Sequence, residues 1–215
     1  VVCTPLTDYY LTTFGKSNMP HFALICVFLG NFKSDTHSCY TQFILANHGI
    51  LRQIGRNCTL IKIMFVCHGN ICRSPMAEFV MKKIVAENGL ADEFRINSSA
   101  TSTEEIGNGI HRGTKAKLTE MNIPFTSHHA VQITKDDYKN YDYIIAMDSM
   151  NLRNLQRIVG FDNEKKIHRL LEFTNYSRDV ADPWYTGNFD VTYTDIDNGC
   201  RALLEYIKEH NLKIN

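Results

Sequence analysis

The chain has 215 residues, with 23 basic and 23 acidic side chains and a formal net charge of zero. Hydrophobic residues make up 44% and charged ones 21%, which is ordinary for a globular protein and enough for a sizeable core. Zero net charge argues against a generic nucleic-acid or polybasic membrane binder. The 12 Phe and 10 Tyr exclude wholesale disorder, and the longest apolar run, Phe22 to Gly30, is far short of the roughly 18–20 residues of a membrane-spanning helix.

The averages conceal a break near residue 60. Residues 1–59 hold only Lys16, Lys33, Arg52, Arg56, Asp8 and Asp35 as charged side chains, whereas residues 60–215 carry the rest. The first segment shows no sustained helical or alternating period. Its apolar stretch Phe22–Leu29 fits a buried strand or the apolar region of a signal peptide, although no basic cluster precedes it and no A-x-A-like site follows. Residues 1–59 are therefore expected to lie outside the functional domain, as an extension or a mis-set start with the proper one near Leu60 or Met64. The seven cysteines are an odd number. With a reactive thiol downstream, they fit a reducing compartment, so a cytoplasmic location is expected.

From residue 60 strands and helices alternate. Leu60–Val66 is a nearly all-apolar run, suited to a strand buried on both faces. Ser74 and Pro75 read as an N-cap and first helical position; Ala77, Val80, Met81, Ile84 and Val85 follow at helical spacing, and Gly89 closes the helix. Phe94–Ser98 reads as a second strand and His111–Asn122 as a helix stopped by Pro124. Thr134, Asp136 and Asp137 open a short helix. Tyr141–Met147 reads as a strand, Asp148–Val159 as a helix and Ile167–Phe173 as a fourth strand. Ile196, Cys200, Leu203, Leu204 and Ile207 mark the buried face of a C-terminal helix. The alternation predicts an α/β fold: a four-stranded parallel sheet flanked by helices on both faces, with ligands at the carboxyl ends of the strands.

At the end of the first strand stands Cys67-His68-Gly69-Asn70-Ile71-Cys72-Arg73-Ser74. A loop curling into a helix start gathers backbone N–H groups around one point, making an anion cradle. Gly69 and Asn70 tolerate the left-handed backbone of a tight loop, and Arg73 offers a planar fork for two phosphate oxygens. A thiol near a helix start and a cation ionises more readily than a free one, whose pKa is about 8.5; Ser74 is placed to hydrogen-bond such a sulfur. The plainer alternative is a buried structural cysteine and an unrelated arginine. A proton donor is offered by Asp182, stiffened by Pro183, with Trp184 and Tyr185 as walls for a ring-bearing substrate. An ordinary Asp-Pro turn with two packed aromatics is the competing reading.

Together these residues resemble the low-molecular-weight protein tyrosine phosphatase family. The similarity runs from about Ile61 to the C-terminal helix, through VCHGNICRSPMAE (66–78), NSSATS (97–102), DYIIAMDSMNLRNL (142–155), and Asp182–Tyr185 followed by Gly187-Asn188. The resemblance implies a phosphocysteine intermediate and neither metal nor cofactor. Cys67 would be the nucleophile and Arg73 the phosphate clamp; Asp182 would be the general acid, then the base that activates water. His68, Gly69, Asn70, Ile71, Cys72, Arg73 and Ser74 would form the phosphate-binding loop. Asn70, Ser74, Ser98 and His128 would support it, and Ile71, Trp184 and Tyr185 would line the substrate cleft. For His128, beside His129, the plain alternative is that both are ordinary loop imidazoles. Cys72 matches a second loop cysteine that can pair with Cys67 on oxidation, and equally suits a small apolar filler. Asn97 stands where relatives often carry Asp, and residues 103–105 lack the aromatic found at some relatives' cleft rim.

The implied substrates are phosphotyrosine proteins or peptides, the implied state a monomer or weak homodimer, with no nucleic acid or membrane as partner. Three rivals remain. Arsenate reductase on the same fold needs relay cysteines, and none lies between Arg73 and Cys200. Protein arginine phosphatases favour a small threonine where Ile71 stands. A silent phosphopeptide-binding module would not need nucleophile, clamp and acid together. Neither a nucleoside-triphosphate loop nor a C-x-x-C or H-E-x-x-H zinc motif occurs.

Overall fold

The computed structural model describes residues 60–176 and 178–210; the expectations for residues 1–59 lie outside them. The elements in chain order are β1 (Ile61–Cys67), α1 (Arg73–Glu87), β2 (Phe94–Ala100), α2 (Arg112–Glu120), α3 (Lys135–Asn140), β3 (Tyr143–Ala146), α4 (Ser149–Val159), β4 (Ile167–Arg169), α5 (Pro183–Thr186) and α6 (Phe189–His210). The four strands form one sheet in the order β2-β1-β3-β4, with every neighbouring pair parallel. Ile63 of β1 is flanked by Ile96 and Tyr143.

Alternation along the strands divides the core. Ile61, Ile63 and Phe65 of β1, with Tyr143 and Ile145 of β3, pack against Met76, Val80, Ile84, Cys200, Leu203 and Ile207 of α1 and α6. Met64 and Val66, with Ile144 and Ala146, face the opposite way, against Tyr141, Leu155 and Ile133. Burial on both sides is why β1 is apolar apart from Lys62.

The ends of the elements follow local chemistry. Thr134 caps α3 through a reciprocal capping box with Asp137, and Asp148 caps α4 by accepting from Asn151 N. Two expectations are corrected. Ser74 is not the cap of α1: the helix begins at Arg73, Cys72 holds the cap position, and no side chain bonds the first turn. The Ser74 hydroxyl is engaged instead by Cys67 and Asn70. The fourth strand stops at Arg169, and Leu170–Phe173 winds into a 3-10 turn. The Glu172 carboxylate accepts from Arg169 N and Nε, closing that turn, while Leu170 and Leu171 enter the core.

Strand order sets the position of the site. Chain order turns outward in both directions from β1, to β2 on one side and β3 on the other, so the carboxyl ends of β1 and β3 bound a topological switch point. Thr101 N donates to Cys67 O and Ser102 N to His68 O, each at 2.9 Å, and Met147 N donates to Val66 O at 3.2 Å. The loops leaving three strands thus meet at one edge.

Candidate functional site

The loop after β1 is built around Asn70, which is fully buried and takes φ 57°. A short polar residue tolerates this left-handed backbone, and here both amide hydrogens and the amide oxygen are engaged. Asn70 Nδ2 donates to Ser74 Oγ and Ser98 Oγ, each at 2.9 Å. Its Oδ1 accepts from Val131 N at 3.2 Å. The Asn70 carbonyl accepts from His128 Nε2 at 2.9 Å, so that ring nitrogen carries the proton and His128 is bonded to the loop directly. Gly69 does not take a left-handed φ; a Cβ there would lie 3.0 Å from Glu105 Cγ, so its contribution is space.

Cys67 sits inside this loop, buried and as a free thiol. Its sulfur accepts from Asn70 N at 3.2 Å and lies 3.1 Å from Ser74 Oγ. Because Ser74 also accepts from Asn70, its single proton is left for Cys67 or for Ser99 O at 3.3 Å. Behind it, Ser98 Oγ donates to the buried Glu78 carboxylate at 2.6 Å, and Lys82 pairs with the same carboxylate. A hydrogen-bonded line therefore runs Glu78–Ser98–Asn70–Ser74–Cys67.

Arg73 is 3% exposed. Its Nη1 meets Asp148 Oδ2 and its Nη2 meets Asp182 Oδ2, each at 2.6 Å. Burial opposes its charge, but Cys67, Asp182 and Asp148 outweigh burial and hold its pKa above the ordinary value. An arginine so buried needs such partners, since breaking a buried pair costs about 3–5 kcal/mol. Burial, then the neighbouring Cys67 and Asp182, push the Cys72 thiol up from about 9 to about 12. Cys72 packs with Ile71, Ala130 and Phe189.

Asp182 caps α5 by accepting from Trp184 N at 3.0 Å, with Pro183 at the first helical position. The Asp-Pro turn therefore leaves the Asp182 carboxylate both capping α5 and facing Arg73. Trp184 and Tyr185 are 62% and 85% exposed. His111 stacks on Phe189 and meets the Trp184 ring edge-on.

A single cleft is lined by Cys67, His68, Gly69, Ile71, Cys72, Arg73, Asp182, Trp184 and Tyr185, together with Glu104 and Glu105. Every site residue expected from the sequence lies in this cleft or in the network behind it. Asp148, Glu78, Glu104 and Glu105 were not singled out. Asp148 and Glu78 read as ordinary acids of a helix cap and a helix face. The position of Asp148 at the carboxyl end of β3, on the same edge as Cys67, is the signal that would have found it. At residues 103–105, which hold no aromatic, the rim is acidic, and Glu104 pairs with His68 at 3.1 Å. Among the described residues no group of three His, Cys, Asp or Glu side chains is arranged to hold a metal ion, and no helix is long and apolar enough to cross a membrane.

The model of the low molecular weight phosphotyrosine protein phosphatase family matches residues 62–213. The chain belongs to that family. It is 41% identical over 152 residues to the low molecular weight protein-tyrosine-phosphatase YfkJ of Bacillus subtilis, covering 70% of this chain and 97% of that protein. The YfkJ crystal structure superimposes with a TM-score of 0.70 over 73% of this chain and 99% of the other. PtpA of Staphylococcus epidermidis is 38% identical over 72% of this chain and 99% of its own. A more divergent solved neighbour is a drosophila arginine phosphatase, at 26% identity and TM-score 0.64 over 70% of this chain and 100% of that one. As a member of this family, the protein is a cysteine-dependent phosphatase.

Proposed function

We propose that the protein hydrolyses phosphotyrosine in proteins or peptides, and aryl phosphates generally, by two in-line displacements through Cys67. The observation that carries the reading is the convergence of three groups in one cleft: the Cys67 sulfur, the buried Arg73 fork and the Asp182 carboxylate on Arg73 Nη2. The ionised sulfur attacks phosphorus, forming an S–P bond, while the P–O bond to the phenol breaks and Asp182 delivers a proton to the departing oxygen. Arg73 and the loop N–H groups hold the equatorial oxygens, whose charge grows in the transition state. Asp182, now a carboxylate, takes a proton from water as it attacks phosphorus; orthophosphate leaves and the sulfur is regenerated.

Two features support an aromatic substrate. Ile71 lines the cleft with a bulky apolar side chain, and Trp184 and Tyr185, exposed, line it too. The likeness to an arginine phosphatase motivates the second reading; turnover of matched phosphotyrosine and phosphoarginine peptides separates the two. The reading further places the protein in the cytoplasm as a monomer or weak homodimer. Cys72, in the same cleft as Cys67, would pair with it as a protective disulfide on oxidation.

Cys67→Ser is expected to abolish hydrolysis of aryl phosphates while the variant still binds orthophosphate. Asp182→Ala is expected to lose about 10²–10⁴ in rate on phenyl phosphate and to bind orthophosphate at least as well. Steady-state kinetics with orthophosphate inhibition checks both; ordinary turnover by the serine variant would end the assignment.

A further inference from the structure

The segment that delivers Asp182 is tied down residue by residue before it reaches the cleft. Asp179 accepts from Ser149 N, Ser149 Oγ and Arg169 Nη1. Val180 N donates to Met147 O at 2.9 Å. Ala181, the residue before Asp182, has both backbone groups held by α6: its N–H donates to Asp195 Oδ2 at 3.1 Å, and its carbonyl accepts from Thr192 Oγ1 at 2.9 Å. Thr192 and Asp195 are three apart on one helix, hence on one face, and are 0% and 3% exposed. Arg178 closes the loop from the other side, donating through Nη1 to Asp195 Oδ2 at 2.7 Å and pairing through Nη2 with Oδ1.

A buried carboxylate is costly unless its lone pairs are used. Here they are used on a loop backbone and on the arginine that begins the same stretch, not on any group in the cleft. The residue before the acid thereby has its N–H and its carbonyl, one from each flanking peptide, bonded to α6. We propose that Asp195 and Thr192 are positioning residues for Asp182. By gripping Ala181 they set where the Asp182 carboxyl meets the leaving oxygen. The inference rests on Asp182 being the general acid. It goes beyond that reading by assigning the acid's placement to two side chains that touch neither phosphate nor substrate.

Proton delivery matters in proportion to the basicity of the leaving group, so a misplaced acid has a signature that general damage lacks. The experiment measures kcat/KM for aryl phosphates from 2,4-dinitrophenyl phosphate, whose phenol leaves unaided, to phenyl phosphate, whose phenol resembles tyrosine. It uses the full chain and its Asp195→Ala, Thr192→Val, Thr192→Ser and Asp182→Ala variants. Asp195→Ala and Thr192→Val should lose about tenfold or more on phenyl phosphate, within the ~10² that a 1 Å misplacement costs, and less than about threefold on the dinitrophenyl ester. Thr192→Ser, which keeps the hydroxyl, should restore the native profile, and orthophosphate inhibition should not change. Adding Asp195→Ala to Asp182→Ala should cost nothing more, because the residue it positions is gone. Equal losses on all leaving groups, no loss, or full additivity with Asp182→Ala would overturn the inference, provided Asp182→Ala itself is leaving-group dependent. If Asp182→Ala is not, the acid assignment falls and takes the inference with it. Thr192→Val keeps the test decisive should Asp195→Ala fail to fold.

Discussion

Two loop cysteines five positions apart sit in different chemical environments. Cys67 receives Asn70 N–H and lies against Ser74, whereas burial lifts Cys72 to about 12. Cys72 is therefore a thiol throughout the physiological range. Iodoacetamide at pH 8 is expected to label Cys67, to spare Cys72 and the fully buried Cys200 in the native protein, and to be blocked by orthophosphate; peptide mapping of the label checks this. The shift also has a sign for stability. The unfolded thiol ionises near 9 and the folded one near 12, so the unfolded chain binds fewer protons between them, and the contribution of Cys72 falls as pH rises through that window. Cys72→Ala should lose less stability than the native chain between pH 9 and pH 11, read from denaturant midpoints. At this scale the motif from Cys67 to Ser74 was legible because backbone demands and chemistry coincide there: a left-handed Asn70, a buried arginine and a helix start within eight residues. Asp148 and Asp195 were not, since an acid that opens a helix and an acid within one have the same appearance whether they bond water or a distant loop.

The elements were legible where burial is two-sided or a cap is local. β1 is apolar apart from Lys62 because both faces are covered, and α3 opens at Thr134 because its capping box lies within four residues. Boundaries failed where a distant partner decides. Ser74 has the chemistry of an N-cap but is claimed by Asn70 and Cys67, neither of which lies in the helix it would cap. Ile167–Phe173 reads as one strand, yet Leu170 must turn inward to meet α6. That meeting is close: a Cβ at Gly199 would lie 2.5 Å from Leu170 Cγ. Gly199→Ala gains about 1 kcal/mol of helix propensity, but overpacking typically costs about 1–3 kcal/mol and sometimes more. Because Leu170 is wholly buried and has little room to retreat, the net effect is expected to be destabilising by about 1–2 kcal/mol. Urea unfolding checks it; an alanine variant of equal or greater stability would contradict the close packing of α6 on the 3-10 turn.

The whole molecule explains why the chemistry collects where it does. Four parallel strands point their carboxyl ends at one edge; the loops after β3 and β4 bring Asp148 and Asp182 onto the Arg73 guanidinium, and Cys67, at the end of β1, adds to the charges that hold it protonated. The alternation of strands and helices made the parallel sheet legible in the sequence. Which loops would meet was not legible from periodicity, because it depends on strand order, and the order β2-β1-β3-β4 is a property of packing between elements far apart in the chain. The central claim is that this edge holds a sulfur that accepts the phosphoryl group from its substrate. The most direct measurement mixes Asp182→Ala, in which the second displacement loses its base, with an excess of 2,4-dinitrophenyl phosphate, quenches within the first turnover, and maps the phosphorylated residue by mass spectrometry. The account predicts phosphate on Cys67, formed with a burst of dinitrophenol and absent from the variant that also carries Cys67→Ser. Phosphate on His68 or on any other residue, or a burst that survives Cys67→Ser, would contradict it.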